Sequence, residues 1–315
     1  MTAVTVRDFL EAARAKLSLE VAHGAAGIGR VIHEPAIHRP GLALAGFLRH
    51  FAHRRIQVLG LAENDYLMAM DEPGRRAALR RLFASRIPCL VICRHRKIWP
   101  EIAQLAEEFH VPVLRTPLIT GAFINHATML MENLTAPRVN LQGTMVDIMG
   151  IGVLLEGRPG IGKSEAALAL VARGHSLVAD DVTMLRRTDD RTVIGAATGV
   201  TRYHLEIRGL GIIHVPSLFG VAAVRDYKQL DLIATLLEFE EFEQGDERVA
   251  TRVRDIMGVP IPHLIVPVAA GRELANVIEV AALNEKLKRL GHDAAKELDD
   301  KLMAVMTRGV AHGES

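Results

Sequence analysis

Apolar residues recur at helical spacing in residues 7–17, RDFLEAARAKL, and again in PEIAQLAEEF, where Pro100 sits at the first turn. Between them, HRRIQVLG carries a short apolar run at residues 56–60, EPGRRAALRRLFAS reads as an Arg-rich helix, and IPCLVICR reads as a buried strand. VPVLRTP is a further strand, and strand–helix–strand implies a parallel α/β unit. The pattern breaks at MENLTAPR, residues 131–138, where polar residues and Pro137 interrupt it. A small N-terminal α/β domain over residues 1–132 and a second domain over 133–315 are therefore expected.

Apolar density rises from Thr144. TMVDIMGIGVLLEG predicts two strands around Gly150 and Gly152, and SEAALALVARG a helix of good formers stopped by Gly174. SLVADD and RTVIGAA predict strands, KQLDLIATLLEF an amphipathic helix, and IPHLIVPVA another strand. ELANVIEVAALNEKLKRLG and AAKELDDKLMAVM predict a helical tail, and EEFEQGDER an exposed acidic run.

Composition narrows the function classes. The chain has 315 residues, 49% hydrophobic and 24% charged, which excludes a mainly disordered chain. The net charge of +1 gives no basic field for nucleic acid. The charge is uneven: residues 1–130 hold 17 Lys and Arg against 11 Asp and Glu, the remainder 21 against 26, which fits two domains. No apolar run reaches the roughly 18 residues of a membrane span. The N-terminus has acidic residues and no apolar signal core, so a soluble cytoplasmic protein is expected. Cys89 and Cys93, four apart on a strand, share one face and read as buried thiols, short of a zinc site. The stretches HRRIQ and CRHRK read as solvated basic loops, with an anion or partner site as the alternative.

The chemistry is concentrated in residues 157–164, GRPGIGKS, which match the phosphate-binding loop G-x-x-x-x-G-K-S/T. A strand leads in and a helix leads out. Gly157, Arg158, Pro159, Gly160, Ile161 and Gly162 form the loop, whose glycines let backbone N–H groups approach phosphate oxygens, and the helix N-terminus adds a favourable dipole. Lys163 neutralises phosphate charge, and Ser164 offers a hydroxyl to Mg²⁺. The next strand ends in Asp180 and Asp181, at the edge where a ligand sits. The pair suits magnesium handling and a general base, with a structural role open for one of them or, as turn formers, for both. Glu206 and Arg208, two apart on an extended stretch, form either a metal and phosphoryl site or a surface ion pair.

Taken together, GRPGIGKSE (157–165), ARGHSLVADD (172–181), LEIRGLGII (205–213) and VPVAAGRELANVIEVAALN (266–284) resemble the HPr kinase/phosphorylase family over roughly the C-terminal 180 residues. The resemblance implies a kinase domain related to phosphoenolpyruvate carboxykinase, behind an N-terminal domain like one found in Mur ligases. It implies a bifunctional enzyme that phosphorylates a serine of the phosphocarrier HPr with ATP or pyrophosphate and Mg²⁺. The same enzyme removes that phosphate by phosphorolysis, regulates carbohydrate metabolism and assembles as a homohexamer. Residue by residue, Lys163, Asp181, its neighbour Asp180, and Arg248 match the catalytic positions, and Ser164 and Glu206 the magnesium positions. Leu205, Glu206, Ile207, Arg208, Gly209, Leu210, Gly211, Ile212, Ile213 and His214 cover the segment used in both reactions. Val268, Ala269, Ala270, Gly271, Arg272 and Glu273 cover the segment tied to dephosphorylation.

Two positions depart from the family pattern. Gln142 stands where a histidine is usual and cannot carry a proton or positive charge. Glu273 brings a negative charge to the dephosphorylation segment, which is expected to weaken phosphorolysis more than phosphorylation. Two other readings remain: a phosphate-loop kinase of another protein or small molecule, and an ATP-sensing regulator without turnover.

Overall fold

The computed structural model describes residues 3–199, 202–244, 252–269, 271–294 and 296–297. The chain divides into two compact units, Met1–Ala136 and Pro137–Ser315.

In the first unit, β1 (Glu20–His23), β2 (Ile37–His38), β3 (Ile56–Leu59), β4 (Leu90–Ile92) and β5 (Val113–Arg115) form one sheet in the order β1-β5-β4-β3-β2. All pairs are parallel except β1 with β5. The helices are α1 (Val6–Leu17), α2 (Gly41–Leu44), α3 (Leu61–Met68), α4 (Glu72–Ala84), α5 (Pro100–Phe109) and α6 (Thr120–Thr135). Local chemistry sets their starts: Thr5 and Asp8 close a capping box on α1, Asp71 caps α4, and Pro100 opens α5. Strand alternation sends Ile56, Val58 and Val91 toward Phe9, Phe123 and Met131 of α1 and α6. It sends Leu59, Leu90 and Ile92 toward Phe83, Ile102 and Leu105 of α4 and α5. The sheet is thus buried on both faces, as parallel sheets are. Cys89 and Cys93 lie on the α1/α6 face, and burial pushes their thiols up to about 12 and about 11, so both stay protonated near neutral pH. Helix α6 continues through residues 131–135, and the chain leaves it at Ala136, whose extended ψ of 134° suits the following proline.

The second unit holds two larger sheets and a hairpin. β7 (Thr144–Ile148), β8 (Ile151–Glu156), β9 (Ser176–Ala179), β15 (Leu232–Glu238), β16 (Arg252–Ile256) and β17 (Val259–Val268) form a sheet in the order β16-β17-β15-β8-β7-β9. β6 (Arg138–Gln142), β10 (Val182–Arg187), β11 (Val193–Ala197) and β14 (Tyr227–Gln229) form an antiparallel sheet in the order β14-β11-β10-β6. β12 (His204–Ile207) and β13 (Gly211–His214) make the hairpin. The helices are α7 (Lys163–Ala172), α8 (Val215–Phe219), α9 (Phe239–Gln244) and α10 (Leu274–Arg289). Val153, Leu155 and Leu236 of the six-stranded sheet pack on Leu170 of α7 and Ile278 of α10. Leu154, Val178 and Ile233 face the other way, onto Leu185 and Val193 of the four-stranded sheet. Helix α7 stops as expected, with Gly174 in the left-handed region at φ 93°.

The segment KQLDLIATLLEF is not a helix. It forms the end of β14 and then β15, which lies between β8 and β17 in parallel register. Its apolar run is continuous because a central strand is buried on both faces, and that run imitates a helical pattern. The acidic segment after it begins with α9, where Glu240 and Glu241 are exposed; its last part, and most of the expected C-terminal helix, fall outside the described residues.

Candidate active site

Strand β8 delivers the chain to the phosphate loop, and α7 carries it away. β9 returns in the same direction as β8, with the antiparallel β7 wedged between them. The C-terminal ends of β8 and β9 therefore meet at one edge of the sheet, which is where α/β folds place ligands. Within the loop, Gly157 has φ 145°, and a Cβ there would lie 2.8 Å from the Leu236 carbonyl oxygen, so no larger residue fits. Lys163 Nζ donates to the carbonyls of Gly157 at 2.9 Å and Arg158 at 3.1 Å, which holds the ammonium under the loop. Arg158 is paired with Glu238 and Glu241 and fastens the loop to the end of β15 and to α9.

A cleft of about 460 Å³ opens beside the loop, lined by Gly160, Gly162, Lys163, Ser164, Asp180, Asp181, Glu206 and Arg208, with Thr144, Pro159 and Glu165. The two aspartates sit at the corner where the chain leaves the six-stranded sheet and enters the four-stranded one, and they have different surroundings. Asp180 is buried. Its Oδ1 accepts from Thr144 Oγ1 at 2.7 Å and Ser164 Oγ at 3.2 Å, and its Oδ2 accepts from the Glu206 N–H at 3.0 Å. One carboxylate thereby ties β7, α7 and β12 together. Because Ser164 gives its proton to Asp180, the serine oxygen keeps its lone pairs for another partner.

Asp181 is exposed, with φ 60° in the left-handed region that Asp tolerates better than most residues. The Val182 N–H bonds the Asp180 carbonyl at 2.7 Å, which makes this corner a three-residue turn. The Asp181 carbonyl accepts from Gly143 N at 2.8 Å, so the backbone beneath the free carboxylate is fixed from both sides.

The hairpin supplies the opposite wall. Leu205 and Ile207 are buried on its inner face, so Glu206 and Arg208 alternate outward. No ion pair joins Glu206 to Arg208 among the described residues; both line the cleft instead. A Cβ placed on Gly160 would lie 3.5 Å from Arg208 Nη1, which sets the guanidinium over the phosphate loop.

Other expected positions lie elsewhere. Arg248 and Ala270 are outside the described residues. Arg272 and Glu273 do not line the cleft. The Glu273 carboxylate is paired with Arg173 and accepts from Asn276 Nδ2 at 2.8 Å, at the start of α10. Glu273 is thus held at the start of α10 by Arg173, a hundred residues away in sequence, which also pairs with Glu279. Gln142 pairs across the sheet with Val182, one residue from Asp181, and is exposed. Thr144 was not singled out in the sequence; its one signal was a hydroxyl at the start of a largely apolar strand.

Asp180→Asn tests the anchoring role. An amide can keep one acceptor, but its N–H₂ then faces either the Glu206 N–H or the two hydroxyl donors. A loss of about 1–3 kcal/mol is expected, read as a lower denaturation midpoint. An unchanged midpoint would remove Asp180 from this role.

Comparison with known proteins agrees with this architecture. Residues 4–131 match the family described as HPr Serine kinase N terminus, and residues 133–302 match the HPr Serine kinase C-terminal domain. The chain belongs to the HPr kinase/phosphorylase family. An HPr kinase/phosphorylase of Caldicellulosiruptor bescii is 39% identical over 299 residues, 93% of this chain and 95% of that protein. One of Bacillus licheniformis is 39% identical over 310 residues, 98% and 99% of the two chains. The solved Hpr(Ser) kinase/phosphatase of Coxiella burnetii is 34% identical and covers 51% of this chain and 98% of its own, with a TM-score of 0.46. HPr kinase/phosphorylase relatives of this length span both units.

Proposed function

We propose that this chain transfers the γ-phosphoryl group of ATP to a serine of HPr, and removes it again by phosphorolysis with release of pyrophosphate. The observation that carries the reading is the cleft, where a phosphate loop, a free carboxylate on a rigid corner, and an outward Glu and Arg converge. The catalytic role belongs to the domain at 133–315, related on this reading to phosphoenolpyruvate carboxykinase, with a Mur-ligase-like domain at 1–132.

In the forward direction the loop N–H groups and the start of α7 hold the polyphosphate. Asp181 accepts the proton as the serine Oγ bonds to the γ-phosphorus and the bond to ADP breaks. Lys163 and Arg208 stabilise charge on the transferring group, the main source of catalysis in phosphoryl transfer. Ser164 Oγ and the Glu206 carboxylate are hard oxygen donors on the cleft wall and would hold Mg²⁺. Bound there, Mg²⁺ supplies charge neutralisation of the phosphates. In reverse, Asp181 returns a proton to the serine oxygen as inorganic phosphate attacks. Arg248 and residues 268–273 keep their assigned parts on the resemblance, as do the homohexamer and the cytoplasmic location.

The test incubates the chain with ATP, Mg²⁺ and HPr and looks for the mass of one phosphoryl group on HPr. Phospho-HPr and phosphate are then assayed for pyrophosphate. No transfer to HPr while another substrate is phosphorylated would favour a different kinase. ATP binding without transfer to any acceptor would favour a sensor.

Direction offers a second check. Glu273→Asn is expected to leave the ratio of the two rates unchanged, because that carboxylate is turned to Arg173 and does not line the cleft. Gln142→His is expected to raise phosphorolysis more than phosphorylation, since an imidazolium beside Asp181 favours an incoming phosphate. A ratio that moves with Glu273 and not with Gln142 would reverse this assignment.

A further inference from the structure

The first unit contains a cavity of about 470 Å³, within the range of small-ligand sites, that the proposed reaction does not use. Glu101, at the start of α5, lines it and is 5% exposed. Its Oε1 accepts from Arg75 at 2.8 Å, whereas Oε2 is buried and has no hydrogen-bond partner. A buried carboxylate oxygen left open is costly and calls for a donor. Burial alone would raise this carboxyl; the hydrogen bond and charge of Arg75, with the charge of Arg76, bring it below the ordinary value.

The rest of the lining defines the ligand. Met68, Ile98 and Trp99 give apolar walls, and Arg75 stacks on Trp99 at 4.3 Å, which keeps the indole in place. Arg96 and Lys97, in the basic stretch after β4, are exposed and have no ion-pair partner among the described residues. With Asp65 and Glu72 included, the four cations exceed the three carboxylates by one. A ligand that suits this cavity has an N–H donor for Glu101, a flat apolar body, and an anionic end for Arg96 and Lys97.

We propose that this cavity is a binding site for a nucleoside monophosphate, separate from the phosphate loop. The base N–H pairs with the Glu101 carboxylate, whose side chain turns to meet it, and the phosphate meets Arg96 and Lys97. The proposal does not depend on the reaction proposed above.

Trp99 is the chain's one tryptophan and lines this cavity, so its fluorescence reports on binding there. The full chain is titrated with AMP and with GMP, and separately with adenosine and with ribose 5-phosphate, under inner-filter correction. A saturable change is expected with at least one nucleotide, and responses at least tenfold weaker with the two fragments. Glu101→Gln is expected to weaken the nucleotide tenfold or more. Arg96→Ala with Lys97→Ala, which alters only exposed side chains, should do the same and decides the matter if Glu101→Gln fails to fold. Lys163→Ala should leave the signal unchanged. Absence of saturation with both nucleotides up to millimolar concentration overturns the proposal. So does equal affinity for ribose 5-phosphate, full affinity in the Arg96/Lys97 variant, or loss of the signal in Lys163→Ala.

Discussion

Asp181→Asn is expected to lower phosphoryl transfer to HPr by about 10²–10⁴-fold, the usual worth of a general base. The denaturation midpoint should stay that of the unaltered chain. Asparagine tolerates the left-handed backbone at φ 60°, and the exposed Asp181 side chain makes no hydrogen bond that the structure needs. Nucleotide binding should also persist, because the loop and Lys163 are untouched. The measurement is kcat for HPr phosphorylation beside an equilibrium titration of ATP. The opposite pattern, full activity with Asp181→Asn and a folded but inactive Asp180→Asn, would exchange the two roles.

Lys163→Ala is expected to cost about a hundredfold or more in kcat/KM, in line with the loss of one charge-stabilising donor at a transferring group. Its ammonium is held by the carbonyls of Gly157 and Arg158, which leaves one of its three N–H bonds for phosphate. The fold should survive, since the side chain emerges at the first residue of α7 and packs in no core. Activity within about tenfold of the unaltered chain, a barrier change under ~1.4 kcal/mol, would rule out the phosphate-loop assignment.

The features legible in the sequence are those whose information is local. GRPGIGKS fixes its own loop because glycine spacing, a preceding apolar strand and a following helix are neighbours in the chain. The Asp180–Asp181 pair was legible as a site for the same reason, but its division of labour was not. That division depends on Thr144, Ser164 and the Glu206 N–H, which arrive from three other elements. The reading of β15 as a helix failed because burial on both faces erases the alternation that marks a strand. Glu273 was read by its charge alone, and its partner Arg173 lies at the far end of α7. In the first unit, strand and helix patterns were clear, whereas the Glu101–Arg75–Trp99 cluster exists only once α4 and α5 pack together.

The corner at Asp180 and Asp181 also limits how this enzyme can change in length. It joins two sheets with no spare residue: Ala179 still pairs with Met145, and Val182 already pairs with Gln142. One inserted residue would shift β10 by one position, turning the buried Thr183 and Leu185 outward and bringing Met184 and Arg186 in. Insertions and deletions are therefore excluded here even where they spare both aspartates, whereas the turn at Thr188–Thr192 between β10 and β11, exposed and bridged by one backbone hydrogen bond of 3.0 Å, can absorb them. Length changes in this part of the chain are thus expected at the rim of the four-stranded sheet and not at the junction that carries Asp181.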